Sequence, residues 1–278
     1  MFQKAVAIAN EFTFPYVGLR RRADGGVFSV LGAFVVVNAE GWVLTAGHIV
    51  DEIISREQER TVTPGDPAAE QPADTADGRV TARTEIWALP GFLESHPRVV
   101  EARMNRLADL ALCRLEPFDA ATVRSFPVFR DSAADPIEQG TSVCRLGFPF
   151  YDVDAAFDET GGGFALSPAA FPVPRFALDG IVARFHRVAD EAGGASGFFI
   201  ETSTPGLRGQ SGGPLLDVRG RVCGIQSHTS HLDLGFDARY ESRGETVVER
   251  QFLNVGAASH VDEIVALCAE TGVNCRLA

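Results

Sequence analysis

The stretch Gly206-Leu-Arg-Gly-Gln-Ser-Gly-Gly-Pro214 sets one serine, Ser211, in a frame of glycines. Glycine lets a backbone turn at positive φ and lets another molecule approach it closely. Two earlier segments complete the pattern. Leu44-Thr-Ala-Gly-His48 closes an apolar run on a histidine, and Ala108-Asp109-Leu-Ala-Leu opens another on an aspartate. A serine, a histidine and an aspartate, each in a strand-and-turn context, are the parts of an acyl-transfer triad. Each alone reads as packing or turn chemistry; together, in the order His48, Asp109, Ser211, they read as catalysis.

The order decides between two folds. Gly209-Gln-Ser211-Gly-Gly213 also fits the nucleophile elbow, G-x-S-x-G, in which the serine leads into a helix and precedes the acid and the histidine. Here Ser211 comes last. It leads into Gly-Gly-Pro-Leu-Leu-Asp, then Arg219-Gly220, then Val222-Cys-Gly-Ile225, which is strand, turn, strand. Pro214 and its glycines oppose a helix interior. The chain after Ser211 is also too short to supply the rest of a doubly wound sheet.

The rest of the chain reads as many short strands with few helices, the signature of a barrel or sandwich. Strands are expected at 30–37, 43–46, 84–89, 99–104, 110–115, 142–146, 180–188, 198–202, 214–218, 221–227 and 251–256. Residues 57–79 hold Pro64, Pro67 and Pro72 among acids and no aromatic, which reads as a surface insertion. Residues 117–140 read as the crossing between two β units, and 151–179 as a long loop near a binding cleft. A short helix is expected over 3–10. A C-terminal helix is expected with Ser259 as its cap and Val261, Ile264, Val265 and Cys268 on one face.

Composition excludes several classes. A net charge of −12 leaves no basic surface for phosphate neutralisation, so no nucleic-acid partner is expected. Arg20-Arg-Arg22 reads as a solvated turn. No stretch approaches the ~20 apolar residues of a membrane span, and residues 1–15 lack a leader-like apolar core. The five cysteines are odd in number and three lie in apolar strands, so free thiols and a cytoplasmic location are expected. His228-Thr-Ser-His231 could place two ligands near a metal, but no third matches; neither metal nor cofactor is expected.

At this point the chain resembles the chymotrypsin-fold serine peptidases, and most the HtrA/Deg-like bacterial branch. The resemblance is carried by Gly32-Ala-Phe-Val-Val-Val-Asn38 with Gly41-Trp-Val-Leu-Thr-Ala-Gly-His48, by Asp109-Leu-Ala-Leu-Cys-Arg-Leu115, and by Leu146-Gly-Phe-Pro149. Gly180-Ile-Val-Ala-Arg184, Phe199-Ile-Glu-Thr202, the serine motif and Phe252-Leu-Asn-Val-Gly-Ala257 follow in order. It implies an all-β fold: two six-stranded antiparallel β-barrels with the active site between them, then a C-terminal helix. The chain would be one peptidase domain over 1–278, with barrels over about 1–116 and 141–258 and the helix and tail over 259–278. No PDZ domain is implied. The implied activity is a serine endopeptidase working through His48, Asp109 and Ser211 and an acyl-enzyme, with a protein or peptide substrate. The backbone N–H groups of Gly209 and Ser211 would form the oxyanion hole. Gln226, Ser227 and Thr229 would line the pocket for the residue before the cut, Ser227 alternatively supporting Asp109. No Asp or Glu lies in 204–210 or 224–231, so cleavage after Lys or Arg is not expected, and a small or uncharged residue is favoured. The alternatives are a silent or partner-activated binding protein of the same fold, and a serine esterase.

Overall fold

The computed structural model describes residues 1–22, 24–53, 80–87, 97–158, 160, 163–191 and 196–278. The insertion expected at 57–79 lies outside them. Six strands form the first sheet: β1 (Thr13–Arg22), β2 (Val27–Val36), β3 (Trp42–Ala46), β4 (Val80–Trp87), β5 (Arg98–Asn105) and β6 (Leu110–Glu116). Their order is β4-β1-β2-β3-β6-β5. The second half carries β7 (Ser142–Gly147), β8 (Ala155–Asp158), β9 (Gly163–Leu166), β10 (Phe176–Ala189), β11 (Ser196–Thr202), β12 (Pro214–Leu216), β13 (Val222–Ser242) and β14 (Glu245–His260). Six of these, in the order β10-β11-β14-β13-β12-β7, close into a barrel. The molecule is therefore mainly β, with two β-rich halves and a C-terminal helix, Val261–Thr271.

The strands form where apolar runs can be buried. β3 is buried along its whole length, and β6 nearly so. Phe34, Val35, Leu44, Leu110 and Leu112 fill the first half, while Leu146, Ile200, Leu215, Val222 and Ile225 fill the barrel. Burying each such side chain contributes about 1.5–3 kcal/mol. Short contacts lock the halves together. Ala33 N–H donates to Ser211 O at 2.7 Å, and Ser259 Oγ donates to Ala108 O at 2.5 Å.

Several expectations need correction. Ser259 does not cap the last helix, because its hydroxyl is committed to Ala108; His260 Nδ1 accepts from Asp262 N–H at 3.1 Å instead. Arg20-Arg-Arg22 ends β1 and is not a turn. The 151–179 stretch is no continuous loop: β8 and β9 pair as a hairpin within it, with Phe157 and Phe164 edge to face at 5.2 Å. β13 and β14 run far beyond the expected strands, pairing out to Ser242 and Glu245. Arg243 and Gly244 turn that hairpin with φ of 52° and 80°, as a two-residue type I′ turn requires.

The cysteine expectation holds for three residues and fails for two. Cys113, Cys144 and Cys223 are buried free thiols. Cys268 and Cys275 are joined in a disulfide. Gly272, at φ +71°, caps the helix in the left-handed conformation and turns the chain back, bringing the two Cα atoms to 6.5 Å. Burial pushes the Cys113 and Cys223 thiols up to about 12 and Cys144 to about 11. The native protein should therefore be lighter than the all-thiol mass by two hydrogen atoms. Alkylation should reach Cys113, Cys144 and Cys223 only after unfolding; rapid native labelling of any of the three would contradict this packing.

Candidate active site

Asp109 stands where the chain enters β6, in the left-handed region at φ +47°. Aspartate tolerates that conformation better than most residues. The turn is held by Asn105 Oδ1, which accepts from Ala108 N–H at 3.1 Å, and by Asp109 O, which accepts from Gly47 N–H at 2.9 Å. The carboxylate then reaches three donors. Oδ1 accepts from the backbone N–H of His48 at 2.8 Å, and Oδ2 lies 2.9 Å from His48 Nδ1. Residues 47–53 are helical, so Oδ1 satisfies a first-turn N–H at the positive end of that segment.

The third donor is Ser227 Oγ, 2.5 Å from Asp109 Oδ2. Ser227 is the extra residue of a β-bulge: Gln226 faces Ala258 and His228 faces Ala257, leaving Ser227 unpaired. A bulge re-aims a side chain out of the ladder, and this one sends Ser227 to Asp109. Its hydroxyl also lies 2.8 Å from His228 Nδ1. Since Oγ donates to the carboxylate, it accepts from His228, which fixes the proton on that nitrogen. The role of His228 was not legible in the sequence, because the bulge that turns Ser227 is a property of the pairing with β14.

Ser211 sits between two tight turns. Leu207 O accepts from Gln210 N–H at 2.9 Å around Gly209, whose φ is +93°. Gln210 O accepts from Gly213 N–H at 2.9 Å around Gly212, whose φ is +82°. Positive φ at the third residue is what a type II turn demands. Space forbids side chains as well: a Cβ on Gly212 would lie 2.0 Å from Ala33 O, and one on Gly213 2.0 Å from Leu146 O. The N–H groups of Gly209 and Ser211 donate to no acceptor among the described residues. The Ser211 hydroxyl donates to Ser227 O at 3.1 Å, and not to His48.

The expected pocket residues separate. Ser227 belongs to the Asp109 cluster. Thr229 Oγ1 donates to Gly206 O at 2.7 Å, and buried Gln226 donates through Nε2 to His228 O at 2.9 Å.

Electrostatics follow from this geometry. The hydrogen bond to Asp109 raises the His48 pKa above its ordinary 6.5, burial opposes it, and the charges of Asp109 and Asp51 add to it. Burial pushes Asp109 up, but the hydrogen bonds from His48 and Ser227 and the charge of His48 outweigh it and hold it low. Burial pulls His228 down.

A family model described as the trypsin-like peptidase domain matches residues 32–225. The chain belongs to that family. Among solved structures, this peptidase domain is similar to a serine-to-alanine form of the HtrA-type protease AlgW with a tripeptide, at 18% identity and a TM-score of 0.50. The match covers 97% of this chain and 63% of that one, so the chain spans less than two thirds of the AlgW chain. The Rv3671c protease from M. tuberculosis, active form, matches at 16% identity and a TM-score of 0.47, over 99% of this chain and 86% of that one. No curated protein matches. At these identities the structural likeness shows the fold.

The hydrogen bond that lifts His48 predicts a titration. In Asp109→Asn the His48 pKa, followed by NMR of the imidazole carbons, should fall relative to the wild type, because the negative charge is lost and one of the two acceptor oxygens becomes an NH2 donor. Asn also tolerates the left-handed backbone, so folding should persist. An unchanged His48 titration would mean that another group carries the effect.

Proposed function

We propose that the chain is a serine endopeptidase in which His48, Asp109 and Ser211 act as the catalytic triad and the N–H groups of Gly209 and Ser211 as the oxyanion hole. The observation that carries this reading is the bond between His48 Nδ1 and Asp109 Oδ2 at 2.9 Å, beside a serine on a turn whose flanking N–H groups are unspent. A serine hydroxyl is a weak nucleophile without an adjacent base. With Nδ1–H held by Asp109, His48 presents Nε2 as that base.

Ser211 Oγ bonds to the substrate carbonyl carbon as its proton passes to His48 Nε2. The oxygen becomes an oxyanion, held by Gly209 N–H and Ser211 N–H. The C–N bond then breaks, and the amine leaves with the proton from His48. Water then gives a proton to His48 Nε2 as its oxygen attacks the acyl carbon; the C–Oγ bond breaks, Ser211 Oγ takes the proton back from His48, and the carboxylic acid leaves. Asp109 stays ionised and stabilises the imidazolium.

A second reading rests on one observation. The Ser211 hydroxyl lies on Ser227 O, so attack requires a turn about χ1 toward His48. Catalytic hydrogen bonds often tighten only when substrate binds, and an activating partner could supply the same turn. The esterase reading has no such support, since Ser211 leads into strand β12.

Ser211→Ala and His48→Ala should abolish peptide hydrolysis and keep the fold; purified Ser211→Ala that still cleaves would overturn the assignment. Asp109→Asn should lose roughly 10⁴-fold in kcat. The pH dependence has a definite sign. His48 acts as a base only when neutral, so kcat/KM should rise with pH through its raised pKa, with an inflection above 6.5. An inflection below 6.5 would exclude His48 as the titrating base.

A further inference from the structure

Arg145 lies on β7, second half of the pair Cys144-Arg145, and is only 1% exposed. Among the described residues it is the largest fully buried side chain. No carboxylate forms an ion pair with it among the described residues. Its partners are carbonyl and hydroxyl oxygens, all reached through Nη1: Pro205 O at 2.7 Å, Thr204 O at 2.9 Å and Thr204 Oγ1 at 3.2 Å. Nε is buried without a partner, and Nη2 makes no hydrogen bond among the described residues. Burial pulls the guanidinium down to about 10. A charge this deep without a countercharge is costly to keep. The contacts of Nη1 explain how the 204–205 segment is held, and they leave the other edge unspent. Nε–H and Nη2–H form the edge that grips a carboxylate with two parallel hydrogen bonds.

The surroundings place this edge beside the nucleophile. The chain that Arg145 holds runs directly into Gly206, Leu207 and the Gly209 turn. Thr229 on β13 ties to Gly206 O at 2.7 Å. Thr229 pairs with Gly256 on β14, whose N–H donates to Thr204 O at 2.9 Å. A Cβ on Gly256 would lie 2.5 Å from Arg145 Nη2 and 2.8 Å from Gly206 N. Only glycine fits there, because the guanidinium packs directly on Gly256 and against the start of the 206–209 segment. A substrate whose carbonyl rests on Gly209 N–H and Ser211 N–H carries its side chain one Cα away, between the 204–207 segment and the 226–229 strand. The guanidinium lies at the junction of those walls.

We propose that Arg145 is the specificity-determining base of this pocket and that the residue before the scissile bond is acidic, Asp or Glu. This rests on the serine-endopeptidase reading and deepens it. An arriving carboxylate supplies the missing countercharge, whereas a neutral isostere leaves the guanidinium unpaired and is rejected. Lysine and arginine are repelled outright. On this reading the lack of nearby acids excludes basic residues, and Arg145, far upstream in sequence, selects acidic ones where that lack alone points to small or uncharged ones. The Thr229–Gly206 bond draws the walls together and disfavours aromatic side chains.

The test uses the wild-type chain, a fluorophosphonate and a set of peptidyl aryl phosphonates that differ only in the side chain at the reacting residue: Glu, Asp, Gln, Ala and Lys. The fluorophosphonate should label Ser211, and the Glu or Asp reagent should label at least ~100-fold faster than Gln. In Arg145→Met the Glu-to-Gln ratio should collapse toward one; if that variant loses fluorophosphonate labelling because the 204–209 segment is no longer held, the wild-type ratios decide. Gln or Ala labelling as fast as both acids in the wild type would overturn the acidic pocket and leave the peptidase reading standing. An acid preference retained in Arg145→Met would overturn the role of Arg145. If Arg145→Met does not fold, the wild-type ratios decide. No labelling by any reagent would overturn the nucleophile and the pocket with it.

Discussion

The site depends on one carboxylate. Asp109 accepts from His48 N–H, from His48 Nδ1 and from Ser227 Oγ. The first two come from the first half of the molecule and the third from the barrel, so one side chain fixes the relation between them. Charge-assisted hydrogen bonds of this kind are roughly twice as strong as neutral ones. The carboxylate can stay ionised because its donors offset the burial that opposes it. The cluster thus positions the imidazole, chooses its tautomer and docks the two β units.

The backbone carries the second constraint. Ala33 N–H, Phe148 N–H and Gln226 O grip the serine loop through Ser211 O, Gly209 O and Gly212 N–H respectively. Strands from both halves therefore hold the turn from outside, and the glycines let them come that close. The result is a loop whose own N–H groups at Gly209 and Ser211 remain unspent. Rigid, pre-aimed donors are the type of group that stabilises developing negative charge without reorganising.

Hidden groups add to what the exposed ones do. The Ser227 bulge connects His228 to the Asp109 cluster, so two histidines share one polar chain, one raised and one lowered in pKa. Arg145 lies behind the 204–206 segment with a buried edge and, among the described residues, no acidic partner. His228 reaches the Asp109 cluster through Ser227, and Arg145 holds the carbonyls of Thr204 and Pro205, which lead into the serine loop.

The sequence by itself determined the local grammar. The glycines around Ser211, the apolar runs ending in His48 and starting at Asp109, and the order of the three residues follow from turn geometry and burial, which act over a few residues. The strand starts in 30–46 and 98–116 were legible for the same reason. Tertiary structure decided what depends on register. A bulge set by pairing with β14 sends Ser227 to Asp109; a hydroxyl spent on Ala108 removes Ser259 from the helix cap; an αL turn at Gly272 returns Cys275 to Cys268. The long β13–β14 hairpin carries strand alternation at Leu232, Leu234, Phe236, Ala238 and Tyr240, but much of that face stays exposed, so its length is set by the pairing of the two strands and not by burial. Arg145 looked like any strand residue, since nothing in a linear chain says that a guanidinium from β7 will end beneath residues 204–206. Those contacts join positions far apart in sequence, and only the closed barrel brings them within hydrogen-bond reach.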